Sequence, residues 1–395
     1  MVYTSPVVAI APFEGVLFDP AVVGDVTSVT SPPYDVILPH EQDRLHRASP
    51  HNIALVDLGA DVPGDPDEKY TRAGELLRRW REQGVMVSSG GPAVYPYEMR
   101  FTYRGVPRVV RGVLAAVTLE PWGRGVLPHE RTMRAPVEDR LRLIRATAAD
   151  LSPIYALVQG PCRAQLELME RAAARPPDRE LLDEEGVFHR MWVEPDAWDL
   201  AAWYRDHKVL VADGHHRYQT ALANQEDMRA EAGRGPWDSV MMLLVDAATE
   251  DPPVLPIHRV LRVSPVPEVD GRPVRDLEEI LALLADDDLT FGAVLRRFGA
   301  LTHLVVGADG DLPTVRALHD SFLDRMRGMR DLRFTPDAAA AEAAVRARTA
   351  DLALILPPAR VAHVRAVVDR GERLPQKSTY FWPKPRTGMV IRPFD

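Results

Sequence analysis

The stretch KVLVADGHHRYQTALANQEDMRAEAGRGPWDSVMMLLVDAA, residues 208–248, leaves the chain the fewest choices. Val209 to Ala212 is an apolar, β-branched run of strand type, and Asp213-Gly214 is a turn pair in which glycine removes the steric penalty of a tight bend. Tyr218, Ala221 and Leu222 then recur at i, i+3 and i+4 of a helix-favouring run that stops at Gly233 to Pro236. Val240 to Val245 supplies a second buried strand. This order places His215, His216 and Arg217 at a helix N-terminus. There the backbone N–H groups and the positive end of the helix dipole favour an anion such as phosphate.

With 395 residues, 46% of them hydrophobic and 27% charged, the chain can bury a full core and is expected to form two or three lobes. A net charge of −9 argues against a partner with a phosphate backbone, so no nucleic acid is expected and any phosphate handled is small. Cys162 is the single cysteine, which excludes disulfides within the chain and cysteine-based zinc sites and fits a reducing cytoplasm. The start, MVYTSPVVAIAPFEG, lacks a basic segment followed by a long apolar one, and no run approaches the roughly 20 apolar residues of a membrane span. Neither secretion nor a membrane partner is expected.

Short apolar runs at Val7 to Ile10 and Val16 to Phe18 suggest edge strands. The segment SPPYDVILPHEQDRLHRASPHNIALVDLG gathers Asp35, His40, Glu41, Asn52 and Asp57 in a stretch too irregular to be one element. Such side chains either carry function or cap turns. Tyr70, Ala73, Leu77 and Trp80 mark an amphipathic helix over 67–83, while Tyr95, Tyr97, Phe101 and Tyr103 at period two, with a turn at Arg104-Gly105, mark an antiparallel hairpin. A helix from Pro136 turns Leu141, Ile144 and Ala148 inward and Arg140, Arg142 and Arg145 outward. His129 and Glu130 precede it on a loop. Residues 161–207 read as scaffold: a helix over 164–174, an acidic loop, a strand over 188–193 and a helix with Trp198, Ala202 and Trp203.

The alternation in Ile257-His258-Arg259-Val260 is that of a strand, so His258 and Arg259 point to opposite faces and only one readily faces a site. Helices over 277–284, 291–298 and 338–348 with strands over 303–306 and 352–356 describe a small α/β lobe. In the tail, Lys377, Ser378, Thr379 and Lys384 stand among Tyr380, Phe381 and Trp382, a mixture suited to closing over an anionic, partly aromatic ligand or to packing as a terminal strand. The expected fold is α+β with a mixed-sheet core: a main domain over 1–262, the small lobe over 263–370 and a C-terminal segment over 371–395 that returns to the site.

The ordered blocks PPYDV, LPHE, SPIY, ADGHHRY, LPIHRV and PQKSTYFWPK, from about Ser5 to Arg392, resemble the bacterial and archaeal family known as domain of unknown function 1015, whose name implies no chemistry. Within them DGHHRYQTA is similar to the phosphate-binding motif of the ParB/sulfiredoxin superfamily, which includes free-serine kinases. That resemblance implies a ParB/sulfiredoxin-like strand–turn–helix phosphate site. It implies nucleotide phosphates at Gly214 to Arg217, a nearby Mg²⁺ ion and phosphoryl transfer to a small serine-like hydroxyl compound. Histidine stands where sulfiredoxin chemistry needs cysteine, and neither a DNA-binding helical domain nor a basic surface is evident, so the kinase branch fits best.

Phosphoryl transfer needs charge neutralisation, in-line positioning and a carboxylate for the metal or the hydroxyl. Gly214, His215, His216, Arg217, Lys377, Ser378 and Thr379 are the candidates for holding nucleotide phosphates. Asp213 is the candidate Mg²⁺ ligand and base, with Glu130, His129 and Asp35 as further catalytic candidates; Tyr34, His258 and Arg259 are candidates for the substrate. The nucleotide is expected to be ATP or ADP, with CTP a third option, and a homodimer is allowed. The rivals are a metal-dependent hydrolase or phosphatase, with His129, Glu130, Asp213, His215 and His216 around a transition metal, and a nucleotide-binding regulator without turnover.

Overall fold

The computed structural model describes residues 8–395 except 159, 161, 196–198, 206, 286–289, 308–313 and 324–325; Val7 and Trp198, named above, lie outside the described residues. The chain forms two compact units, one from Met1–Pro128, Thr132–Pro252 and Pro383–Asp395, the other from His129–Arg131 and Pro253–Trp382. The division falls ten residues earlier than the expected limit at 262, because strand His258–Val263 pairs with Met329–Thr335 and Leu352–Ile355. The tail also divides, at Trp382/Pro383.

The first unit is built on a mixed sheet of nine strands among the described residues. Strand Val209–Asp213 lies between Val126–Pro128, to which it is parallel, and Ile154–Val158, to which it is antiparallel. Ser239–Asp246 follows, parallel to Ile154–Val158 and antiparallel to Val106–Thr118. Strands buried on both faces lose their alternation and become apolar throughout, as Val240 to Leu244 are. The expected hairpin is Tyr95–Tyr103 with Val106–Thr118. It turns through Arg104 at φ 50 and Gly105 at φ 75, the pair of left-handed residues that matches the strand twist.

Helix His215–Ala232 lays Tyr218 and Ala221 on this sheet's core beside Leu168, Met169 and Ala172 of helix Arg163–Ala173. The acidic loop holds a strand, Arg179–Leu182, paired with Phe188–Met191. Helix Arg134–Thr147 departs from expectation: its buried stripe is Arg140, Leu143 and Thr147, while Ala148 is the exposed, left-handed C-cap at φ 45. The stripe is rotated by about one residue because a buried guanidinium, satisfied by carboxylates, occupies a place that hydropathy assigns to water.

The second unit carries a six-stranded sheet, antiparallel throughout, with helices Leu277–Leu284 and Ala338–Arg346 packing Ile280, Leu284, Ala341 and Val345 against Val260, Val294 and Ala353. The helix expected over 291–298 is a strand, Thr290–Arg297, paired with Ala300–Gly307 through Phe298 and Gly299 at φ 50 and 84. Phe291 to Leu295 are buried on both sheet faces, and such a run lacks the period that separates strand from helix.

His258 and Arg259 are both buried, at 1% and 0% exposure, so neither opens to solvent. His258 Nδ1 accepts a hydrogen bond from the Leu356 N–H at 3.1 Å. Burial, reinforced by Arg259, lowers its pKa from 6.5 to about 4. The folded state therefore keeps the imidazole neutral where the unfolded chain takes up a proton. This contribution is present above pH 6.5 and is lost as pH falls towards 4. The full loss is about 3 kcal/mol. Denaturant titrations across this window should show His258→Asn, which retains an acceptor but cannot titrate, losing less stability than the parent. Parallel curves for the two proteins would refute the assignment.

Candidate functional site

The central turn forms as its residues dictate. Gly214 adopts φ 96, ψ 27 and caps helix His215–Ala232 without bringing a side chain to its first amides. A Cβ there would be strained and would lie 3.1 Å from Arg217 Nε, so glycine serves both the bend and the guanidinium folded against it. Arg217 turns back over the bend. Its Nη2 donates to Asp213 Oδ2 at 2.5 Å, and its Nη1 to Ser152 Oγ at 3.1 Å and the Pro153 carbonyl at 2.5 Å. Arg217 thereby ties the end of one strand, the start of the helix and the Ser152-Pro153 segment together.

The other oxygen of Asp213, Oδ1, accepts from Lys384 Nζ at 2.5 Å, and the same ammonium lies 3.6 Å from Asp35 Oδ2. Lys384 is 8% exposed at its side chain. In the sequence it stands in WPKP, where flanking prolines fix its backbone; the sequence places it in the ligand-closing tail but gives the phosphate-holding role to Lys377. His215 is buried with its ring stacked on Trp122, centroids 6.0 Å apart and planes at 23°. His216 Nε2 accepts from the Met133 N–H at 3.0 Å, which places the proton of its neutral form on Nδ1. The adjacent histidines thus do different work.

Behind the turn lies a second layer of charge. The Arg140 guanidinium covers the Tyr34 ring at 4.1 Å, and its Nη1 donates to Asp57 Oδ1 at 3.0 Å and to the Asp57 carbonyl at 2.7 Å. Asp139 Oδ2 takes Nη2 at 2.6 Å. Desolvation raises the Asp57 pKa against the pull of Arg140 and Arg217. Burial likewise raises that of the Tyr34 phenol, with Asp35 acting in the same direction. A cavity of about 50 Å³ opens between Tyr34, Asp57, Arg140, Ser152, Arg217 and Thr220, enough for a few waters or a small polar group. Asp57 Oδ2, Asp35 Oδ1 and Arg217 Nε are buried without a hydrogen-bond partner among the described residues. Sequence reasoning left Asp57 and Arg140 out of the site, because period alone assigns a helical arginine to solvent.

The remaining candidates fall in the second unit. Glu130 accepts from the backbone N–H groups of Lys377, Ser378 and Thr379 at 3.1, 2.9 and 3.0 Å and from the Thr379 hydroxyl at 3.1 Å. That hydroxyl's proton goes to Glu130, so His129 Nε2, 2.7 Å from Thr379 Oγ1, is the donor of its bond. The Ser378 hydroxyl donates to the Pro375 carbonyl at 2.5 Å. Glu130 is thus held by the loop that sequence reasoning assigned to phosphate. Among the described residues no three His, Cys, Asp or Glu side chains gather as a metal site, and both oxygens of Asp213 accept from cations.

Removing Arg140 strands the Asp57 charge in the interior. Arg140→Met should cost about 3–5 kcal/mol of stability in a denaturant titration. Asp57→Asn added to it should recover part of that loss. A cost within the error of the measurement for the single variant would show that the pair is not a structural linchpin.

A family model described as a protein of unknown function, DUF1015, matches residues 10–295. No curated protein matches the chain. Solved structures similar to it include a free serine kinase in complex with AMP, at 13% identity and TM-score 0.37, covering 67% of this chain and 89% of that one. Another is a conserved hypothetical protein from Pyrococcus furiosus, at 14% and 0.34, covering 66% and 90%. A third is SbnI with a C-terminal truncation from Staphylococcus aureus, at 12% and 0.36, covering 69% and 85%. A further free serine kinase structure, of a mutant, holds ADP.

Proposed function

The chain belongs to the DUF1015 family, and from the site in its first unit we propose that it is a small-molecule kinase, moving a phosphoryl group from ATP, ADP or CTP to the hydroxyl of a compact, serine-like metabolite. One observation carries the reading: the Asp213 carboxylate is gripped between Arg217 and Lys384 at the mouth of a helix opened by left-handed Gly214. The resemblance of DGHHR to the free-serine kinase branch supports it.

Each part has a role in this reading. The amides that begin helix His215–Ala232 receive nucleotide phosphates, where the helix dipole adds to their hydrogen bonds. Lys384 leaves Asp213 for the transferring phosphoryl group and neutralises its developing charge. Asp213 then takes the proton of the acceptor's hydroxyl while its oxygen bonds in line to the terminal phosphorus, and the bridging P–O bond breaks to release the nucleotide shortened by one phosphate. Arg217, bonded to Asp213, Ser152 and Pro153, fixes Asp213 and forms part of the cavity wall. Asp35 is the second carboxylate beside Lys384. The cavity walled by Tyr34, Asp57 and Arg140 receives the acceptor.

Asp213 accepts from Arg217 and Lys384 on its two oxygens, and among the described residues no three His, Cys, Asp or Glu side chains gather around it. Mg²⁺ belongs to this reading as an ion carried by the nucleotide's own phosphates, and no step is assigned to it.

Thermal unfolding with ATP, ADP and CTP, with and without Mg²⁺, tests the proposal. A nucleotide at a hundred times its Kd should add about 2.7 kcal/mol of stability to the parent protein. Lys384→Met should lose most of that. Asp213→Asn should retain binding but transfer phosphate to a panel of hydroxyl metabolites at least about 100-fold more slowly. If no nucleotide stabilises the parent protein, the kinase reading falls.

A further inference from the structure

The loop at 377–379 is built as an anion receptor. Lys377 adopts φ 54, a left-handed conformation that turns successive N–H groups towards one side, and such concave runs of amides bind anions. Here the amides of Lys377, Ser378 and Thr379 and the Thr379 hydroxyl all converge on the two oxygens of Glu130, with His129 Nε2 backing the hydroxyl. These four donors fill the lone-pair sites of one carboxylate, and the same converging set suits the acceptor oxygens and higher charge of a phosphate.

An independent observation points the same way. Arg259, in the same unit, is 0% exposed, and its Nε has no hydrogen-bond partner among the described residues. Burial lowers its pKa to about 10, and Glu130 is the charge that opposes this. The other nitrogens of this guanidinium meet neutral acceptors, the Ile257 carbonyl and His319 Nε2 at 3.4 Å, so among the described residues it is undersupplied with negative charge. Glu130 meanwhile keeps 14% of its side chain exposed, so the carboxylate is not sealed from solvent.

We propose that the 377–379 loop is a phosphate-binding site in which the Glu130 carboxylate is a tethered stand-in, exchanged for the phosphate group of a phosphorylated solute. The site recognises phosphate through main-chain amides. The Ser378 side chain contributes little, since its hydroxyl is turned to Pro375. The inference stands apart from the kinase reading, which uses residues of the other unit.

The test uses the full chain with Glu130→Ala and inorganic phosphate as the probe, against chloride at matched ionic strength. In chloride the variant should melt below the parent. Phosphate should raise its melting temperature saturably, by about 2 °C or more at tenfold Kd, and move the parent by less than half as much. Glu130→Gln, which keeps the shape of the side chain, should respond in the same sense and serves if the alanine variant does not fold. Equal responses in the parent and both variants, or none in any of them, would overturn the proposal. The response should persist when Lys384→Met is added. Its loss there would place the phosphate at the Gly214 turn and overturn the assignment, whereas failure of nucleotides to bind the parent would leave this result untouched.

Discussion

A carboxylate that must not be left alone organises the first unit. Asp213 ends a strand whose other residues are fully buried, and there an ionised oxygen without a partner costs several kcal/mol. Arg217 and Lys384 meet that cost, one from the first turn of the following helix and one from the C-terminal segment. Because Arg217 also donates to Ser152 and Pro153, the same guanidinium fixes how the helix leaves the sheet. The dependence runs further inward, where Arg140 and Asp57 repeat the arrangement against Tyr34. Breaking one member of such a set leaves the others charged and dry, so the cluster behaves as a unit.

In two places the chain gathers hydrogen-bond donors on one of its own carboxylates, by different physics. At Gly214 the helix N-terminus supplies aligned amides and a dipole, and side-chain cations stand beside it on Asp213. At 377–379 a left-handed residue folds consecutive amides around an anion with no helix behind them, and Glu130 fills the concavity. In both, a carboxylate of the chain holds the donors in place. Donors kept ordered by an internal anion need little reorganisation when an external one arrives, which is the general advantage of a preorganised site.

Much of the framework could be read from residues alone, since local rules govern it. The strand, turn and helix at 209–232 follow from β-branched residues, a glycine able to take φ 96 and a Gly233 stop. The hairpin through Arg104-Gly105 follows from period two and a turn pair. These features depend on neighbours within a few residues. The reading failed where burial overrode period. Thr290–Arg297 has both faces covered, so its period does not tell strand from helix, and Arg140 is buried where an arginine on a helix usually belongs to water.

The sequence by itself determined where the glycine-opened helix begins and which histidines, arginine and aspartate stand at its mouth, because a bend of that kind is decided by the residues that make it. Only the tertiary structure decided which charges pair: Lys384 with Asp213 across 171 residues, Arg140 with Asp57 across 83, and Glu130 with amides about 248 residues away. The reason is physical. The partner of a buried charge is chosen by desolvation and by what the folded chain brings within a few ångströms, and neither is encoded in local spacing.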